Sequence, residues 1–137
     1  MAITLKQYWM NRDVAYASEL TQELRDNAAE TVRRANLLLA QYHADTGSTA
    51  PENVNSGWRP KSVNDATKNA SKNSPHLSCQ AVDLSDDGEA IDKWIASPQG
   101  RQALIDSDLY AEAAHATPRW AHVQTRKTNS GNRIFNP

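Results

Sequence analysis

The chain has 137 residues and a formal net charge of −1, with 39% hydrophobic and 23% charged residues. This length suits a single domain, residues 1–137, with one hydrophobic core. The nearly balanced charge gives no electrostatic basis for binding nucleic acid or an anionic membrane surface. No segment reaches the roughly 18–20 apolar residues of a membrane span. The single cysteine, Cys79, excludes an internal disulfide.

The N-terminal segment gives little structural signal. Residues 1–18 contain Tyr8, Trp9 and Tyr16 without a clear period, and we predict an N-terminal arm, extended or in short turns, packed on the body of the domain. Residues 1–6 lack the apolar stretch of a secretory signal. We therefore expect the chain to be cytoplasmic when it is synthesised.

A long helix is the clearest predicted element. Its apolar side chains recur at helical spacing and form one stripe, consisting of Leu20, Leu24, Ala28, Val32, Ala35, Leu38, Leu39 and Tyr42. Charged and amide side chains occupy the other side. Ser18 or Thr21 is a candidate N-cap, and Gly47 is expected to end the helix.

The middle of the chain predicts a short strand between two loops. Residues 45–52 contain glycine, serine and proline and indicate a loop, and residues 54–58 indicate a strand that ends at Arg59-Pro60. Residues 61–75 are polar and rich in Asn, Asp and Ser, which predicts a long surface loop. Loops of this length in a compact domain are usually functional or mobile.

The C-terminal half predicts strands and helices in succession. Strands are expected at residues 80–84, 110–112, 120–125 and 133–135. A helix carrying Ile91, Trp94 and Ile95 is expected to be capped from residues 85–87, and a second helix begins at Pro98 with Leu104 and Ile105 facing inward. This order predicts a single α+β domain with a mostly antiparallel sheet, flanking helices and one long N-terminal helix.

Two histidines and one aspartate are candidate metal ligands. Alternate side chains share one face of a strand, so Asp83 and His122 converge if their strands are neighbours, and His76 approaches from the preceding loop. Imidazole and carboxylate groups are ligands of catalytic zinc ions, which keep a further position for water. The alternative is that both histidines are ordinary core or surface residues. As internal comparisons, His43 is expected to be solvated and His115 is not expected to be a ligand.

Three sequence blocks resemble the M15 peptidases, the group of D-alanyl-D-alanine carboxypeptidases and dipeptidases and L-alanyl-D-glutamate endopeptidases. The run Ser74-x-His76-x-x-Cys79-x-Ala81-x-Asp83 resembles the family motif Ser-x-His-x-x-Gly-x-Ala-x-Asp. Trp120-x-His122 resembles the closing zinc-histidine segment, and Ser56-Gly57-Trp58-Arg59 resembles an upstream Ser-Gly-Tyr-Arg segment. The long helix and the closing segment 130–135 are similar to small M15-type proteins encoded by phages and prophages.

The resemblance implies a zinc-dependent peptidase that cleaves peptidoglycan stem peptides next to a D-amino acid. It implies that His76, Asp83 and His122 bind Zn²⁺. It further implies that Arg59 contacts the substrate carboxylate or the developing oxyanion, that Ser74 supports the site or contacts substrate, and that Trp120 braces the last ligand and flanks the substrate. Such a protein would act on the cell wall or periplasm after release, or as part of a virion.

Two residues depart from the family pattern. Cys79 replaces the motif glycine, which costs conformational energy if the backbone there has a positive φ, and we expect a small buried residue. Arg119 occupies the position, three residues before the last zinc histidine, that usually holds the catalytic acid. Arginine stays protonated and cannot accept a proton from water. Glu112 is therefore the best candidate for a general base, although its position in the sequence fits a solvated surface carboxylate equally well. Asp106 and Asp108 are weaker candidates.

Two other functions stay open at this point. Arg119 favours a non-catalytic zinc-binding domain that binds cell-wall peptide or serves in a phage particle. A structural domain without any metal is the remaining alternative.

Overall fold

One five-stranded sheet, in the order β1-β2-β4-β3-β5, organises the computed structural model, which describes residues 2–137. Its strands are β1 (Val54–Ser56), β2 (Ala81–Ser85), β3 (Tyr110–Glu112), β4 (Trp120–Gln124) and β5 (Ile134–Phe135). Neighbouring strands are antiparallel except β3 and β5, which are parallel. The predicted α+β class with a mostly antiparallel sheet is thus confirmed.

Helices flank this sheet and supply much of the core. They are α1 (Leu5–Trp9), α2 (Arg12–Ala15), α3 (Gln22–Thr46), α4 (Lys61–Ala66), α5 (Ala90–Ala96) and α6 (Pro98–Ser107). The long helix α3 begins after Thr21, whose hydroxyl accepts a hydrogen bond from the Leu24 N–H, and ends at Gly47 with φ of 73°. The predicted cap at Thr21 and the predicted end at Gly47 are both confirmed. Among the described residues, no helix is long and apolar enough to cross a membrane.

The N-terminal segment is more ordered than predicted. Residues 1–18 were predicted to be extended or in short turns packed on the body. The packing is confirmed, but residues 5–9 and 12–15 are short helices, followed by a 3₁₀ turn at Ala17–Glu19. A capping box between Thr4 and Gln7 starts α1. Ile3 and Tyr8 are fully buried, and the Tyr8 hydroxyl donates to the carbonyl of Ala81 in β2 at 2.9 Å. This segment is therefore part of the core.

The predicted loop 61–75 begins with a helix, α4, and only residues from 67 onward lack regular structure. Asn64 links α4 to the segments before and after it, because it is buried and both polar atoms of its side-chain amide form hydrogen bonds. Its Oδ1 accepts from Arg59 Nη1 at 3.1 Å, and its Nδ2 donates to the Ser71 carbonyl at 2.9 Å. The following turns carry His76 toward the sheet.

Helices α5 and α6 confirm most of the predicted pattern. Both carboxylate oxygens of Asp86 accept backbone N–H groups at the start of α5, and the Ser97 hydroxyl caps α6 with Pro98 at the first position. Leu104 is fully buried, whereas Ile105 is 52% exposed. The prediction for Ile105 was wrong because consecutive helical residues lie about 100° apart.

Candidate metal centre

The central strand pair places two of the predicted ligands side by side. In the antiparallel register of β2 and β4, Asp83 lies directly opposite His122. Directly opposed residues on one face have Cβ atoms about 4.5–5.5 Å apart. The carboxylate Oδ1 of Asp83 lies 2.7 Å from His122 Nδ1. The convergence predicted from strand alternation is confirmed.

His76 completes the group from the loop before β2. Its Nε2 lies 3.3 Å from Asp83 Oδ2, and one ligand atom from each of the three residues lies within 4.8 Å of the others. Two backbone contacts hold His76: its N–H donates to the Ser74 hydroxyl oxygen, and its carbonyl accepts from the Arg59 N–H. Both histidines are only 4% exposed.

Fixed acceptors on the outer side of each ring orient the two imidazoles. His76 Nδ1 lies 2.8 Å from the Gly57 carbonyl oxygen, which can only accept, so Nδ1 carries the proton. His122 Nε2 lies 2.8 Å from Gln124 Oε1. The Gln124 amide is oriented because its Nε2 donates to the Arg126 carbonyl, so His122 Nε2 also carries a proton.

The consequence is that the inner nitrogens present lone pairs to a carboxylate. With both outer nitrogens protonated, neutral His76 Nε2 and His122 Nδ1 are acceptors, and both face oxygens of Asp83. Converging acceptors require a cation between them, either protons on the imidazoles or a metal ion. The donor set, its spacing and its outer hydrogen bonds match the way metal-binding histidines are held in proteins. This buried group is suited to bind a metal ion.

The electrostatics of the group agree with this geometry. Burial by itself would raise the pKa of Asp83, but the charge of His76 and the hydrogen bonds from both histidines hold it well below its usual range. For His122, burial acts to lower the pKa, and the hydrogen bond and charge of Asp83 outweigh it and raise the pKa. Asp83 is therefore a carboxylate, the form that binds cations.

Gly57 is required at its position for a steric reason. A Cβ atom there would overlap the Tyr8 carbonyl oxygen and lie 2.9 Å from the Tyr8 carbonyl carbon. Tyr8 is fully buried, and backbone atoms in a close-packed core cannot move aside easily. The absence of a side chain thus allows α1 to pack against the segment whose carbonyl orients His76.

Cys79 has the positive φ that a glycine in the motif would favour. Its φ is 58°, and its side chain is fully buried. Its carbonyl accepts from the Thr31 hydroxyl at 2.7 Å, and burial raises the pKa of its thiol to about 12. The prediction of a small buried residue is confirmed, and the thiol stays protonated.

The other residues implied by the resemblance differ in burial and in their contacts. Arg59 is half-buried and bonded to Asn64. Ser74 is buried and supports the His76 backbone. Trp120 is half-buried at the start of β4, opposite Ser85.

The candidates for a general base differ in their distance from the two histidines. Glu112 Oε1 lies 3.8 Å from His122 Nε2, on the outer side of that ring, and its side chain is 22% exposed. Arg119 is exposed and forms an ion pair with Asp87 at 3.3 Å. Asp106 is exposed and accepts from Gln102, and Asp108 pairs with arginines at the end of α6. Apart from Asp83, Glu112 is the acidic residue among the described residues whose carboxylate lies within 4 Å of a ring nitrogen of His76 or His122.

Three residues that hold the metal-binding group in place were not predicted from the sequence. Gln124 contacts His122, the Gly57 carbonyl contacts His76, and Tyr8 bonds Ala81 in β2. Strand alternation placed Gln124 on the face of His122, but its function depends on which ring nitrogen carries the proton. Of the remaining histidines, His115 is exposed as expected for a non-ligand. His43 is half-buried and bonded to the Ala50 carbonyl, rather than solvated as predicted.

Comparison of the chain with protein family models, with curated proteins and with solved structures gave no match.

Proposed function

We propose that the protein is a zinc-dependent peptidase whose metal is held by His76, Asp83 and His122. The observation that carries the proposal is the convergence of one nitrogen of each imidazole on a buried carboxylate, while the other ring nitrogens contact the Gly57 carbonyl and Gln124 Oε1. Two histidines and one carboxylate form a common donor set of catalytic zinc, which leaves a position for water. Zinc, when bound, lowers the pKa of that water to about 7 and polarises a carbonyl.

Glu112 is the proposed general base. Glu112 Oε1 lies 3.8 Å from His122 Nε2, whereas His122 Nδ1 faces Asp83. The Glu112 side chain therefore has to rotate to reach the attacking water, and there it would take the proton of that water and return it to the leaving amine. Arg59 is proposed to donate to the substrate carboxylate or to the oxygen that becomes negative during attack. The contact of its backbone with the His76 carbonyl supports a position near the ligands.

The proposed substrate is a peptidoglycan stem peptide, cleaved next to a D-amino acid. Support for this choice comes from the sequence blocks around Ser56–Arg59, Ser74–Asp83 and Trp120–His122, which resemble the M15 peptidases. The corresponding proposed place of action is the bacterial cell wall after release from the cytoplasm, or a virion.

Metal analysis and product analysis together test this function. We expect one zinc ion per chain, and peptidoglycan fragments incubated with zinc-loaded protein should yield a chelator-sensitive product in mass spectrometry. His122→Ala should lose both metal and product. A His122→Ala protein that keeps zinc and activity would refute the ligand assignment.

Arg119 favours a second candidate function, a zinc-containing domain that binds cell-wall peptide or serves in a phage particle without cleaving peptide. Its exposed side chain pairs with Asp87 and supplies no acid at the expected position. Stoichiometric zinc and peptide binding without product would support this candidate.

A further inference from the structure

A polar cavity of about 390 Å³ adjoins the metal-binding group on the side of His122. Gln124 lines this cavity and also bonds His122 Nε2. Phe135 lines it as well, and its ring packs edge-on against His122 with centroids 6.3 Å apart. A molecule in this cavity would therefore be separated from His122 by a single layer of side chains, Gln124 and Phe135.

The charges that line the cavity have one sign. Arg126 and Lys127 contribute positive charge, while the other lining residues are neutral and none is acidic. In the described part of the chain, neither cation has an acidic oxygen within 4.0 Å, in contrast to Arg33, Arg34 and Arg133, which form ion pairs. The lining of the cavity thus offers two positive side chains to an anionic group.

Neutral oxygens hold the Arg126 guanidinium in place. Nη1 donates to the Asn73 carbonyl at 2.6 Å, Nη2 to the Ser78 hydroxyl at 2.9 Å, and both Nε and Nη2 to Gln80 Oε1 at 3.4 Å. One N–H of Nη1 is left to donate to a ligand. These contacts fix the side chain without neutralising its charge. A preorganised guanidinium recognises a carboxylate with little loss of conformational entropy.

We propose that Arg126 is a specificity-determining residue that binds a carboxylate of a peptide in this cavity, next to the metal-binding group. This inference rests on the proposed peptidase function for the nature of the ligand. It assigns the anionic part of the substrate to the Arg126 side of His122, and Lys127 adds positive charge there.

Peptide binding to metal-free protein tests the proposal, because zinc could itself bind a carboxylate. The probes are N-acetyl-trialanine with a free C-terminal carboxylate or a carboxamide, and N-acetylated, C-amidated tripeptides with a central glutamate or glutamine. We expect at least one acidic member to bind about tenfold or more tightly than its neutral partner. The pair that shows the preference identifies whether the carboxylate is terminal or in a side chain.

Arg126→Gln should reduce that preference to within about threefold, and Arg101→Gln, on the exposed face of α6, should keep it. Because Arg126 also contacts the segment that carries His76, zinc stoichiometry and thermal unfolding of each variant accompany the titrations. In the wild-type chain, the NMR signal of Arg126 Nε–H should shift with the acidic peptide and not with the neutral one, which tests the contact without a substitution.

Equal affinity for acidic and neutral peptides, or no binding of either, would overturn the proposal. An unchanged preference in folded Arg126→Gln would also overturn it. Failure of the peptidase proposal would be recognised separately, by the absence of a chelator-sensitive product, since the binding measurement requires neither zinc nor turnover.

Discussion

Replacing Gly57 with alanine is expected to damage the candidate metal centre without changing a ligand. The new Cβ would overlap the Tyr8 carbonyl oxygen and lie 3.0 Å from Tyr8 Cδ1. Relief requires the Gly57 backbone or α1 to shift. A shift of the Gly57 backbone moves the carbonyl that accepts from His76 Nδ1 at 2.8 Å.

The expected magnitude has two parts. Overpacking of a well-packed core costs about 1–3 kcal/mol, which corresponds to a fall in Tm of about 3–10 °C for a domain of this size. Loss of a hydrogen bond that orients a metal-binding histidine weakens metal affinity by about 10- to 100-fold.

Thermal unfolding and zinc titration against a chromophoric chelator, at a temperature where both proteins are folded, measure these two parts. Gly88→Ala is the matched control because a Cβ there meets nothing within 4 Å, and its stability should stay within about 0.5 kcal/mol of wild type. A Gly57→Ala protein with the stability and zinc affinity of wild type would refute the reasoning.

Three further predictions concern individual groups. Glu112→Gln should keep full zinc stoichiometry and lower peptide turnover by about 100-fold or more, because glutamine cannot accept the proton; metal and product analysis measure the two effects. Burial raises the pKa of Asp92 to about 6, although the hydrogen bond from Thr117 opposes the shift. The stability that this carboxyl contributes is therefore complete below about pH 4 and is lost as the pH rises through 6. Asp92→Asn should then be more stable than wild type in urea at pH 8, by up to about 3 kcal/mol, and equal to it at pH 4. The free energy of unfolding of Cys79→Gly, measured by thermal unfolding, should be about 1 kcal/mol higher than that of Cys79→Ala, because glycine adopts the φ of 58° without strain.

Each of these has a contradicting result. Full turnover by zinc-loaded Glu112→Gln would assign the base to another group. A stability difference for Asp92→Asn that stays constant between pH 4 and 8 would show that the carboxyl does not titrate differently on folding. Equal stability of the two Cys79 variants would remove backbone strain as the distinguishing feature of that position.

The strands and the ligand positions could be predicted because their signals are local and periodic. Alternation put Asp83 and His122 on matching faces, and the register of β2 and β4 brings them together. The helices α1, α2 and α4 have only 5, 4 and 6 residues. Such short helices contain fewer than two turns and leave almost no periodic pattern.

The groups that support the ligands could not be predicted because they act over long sequence distances or through backbone atoms. The hydrogen bond from Tyr8 to Ala81 joins residues 73 positions apart. The Gly57 carbonyl has no side-chain signature, and the part that Gln124 takes follows only from the proton positions on His122. Likewise, nothing local in the sequence indicates that Arg119 has a positive φ of 73° just before β4, or that its side chain pairs with Asp87.

The strand order has a consequence for how the chain acquires its site during synthesis. β4 lies between β2 and β3, yet it follows both in the sequence. Until Trp120–Gln124 leaves the ribosome, β2 and β3 lack a shared neighbour, and the half of the site that carries His76 and Asp83 has no partner. Joining β2 to β3 through β4 and bringing the third ligand to the other two are thus a single late event, and a nascent chain that stalls before residue 120 would have neither.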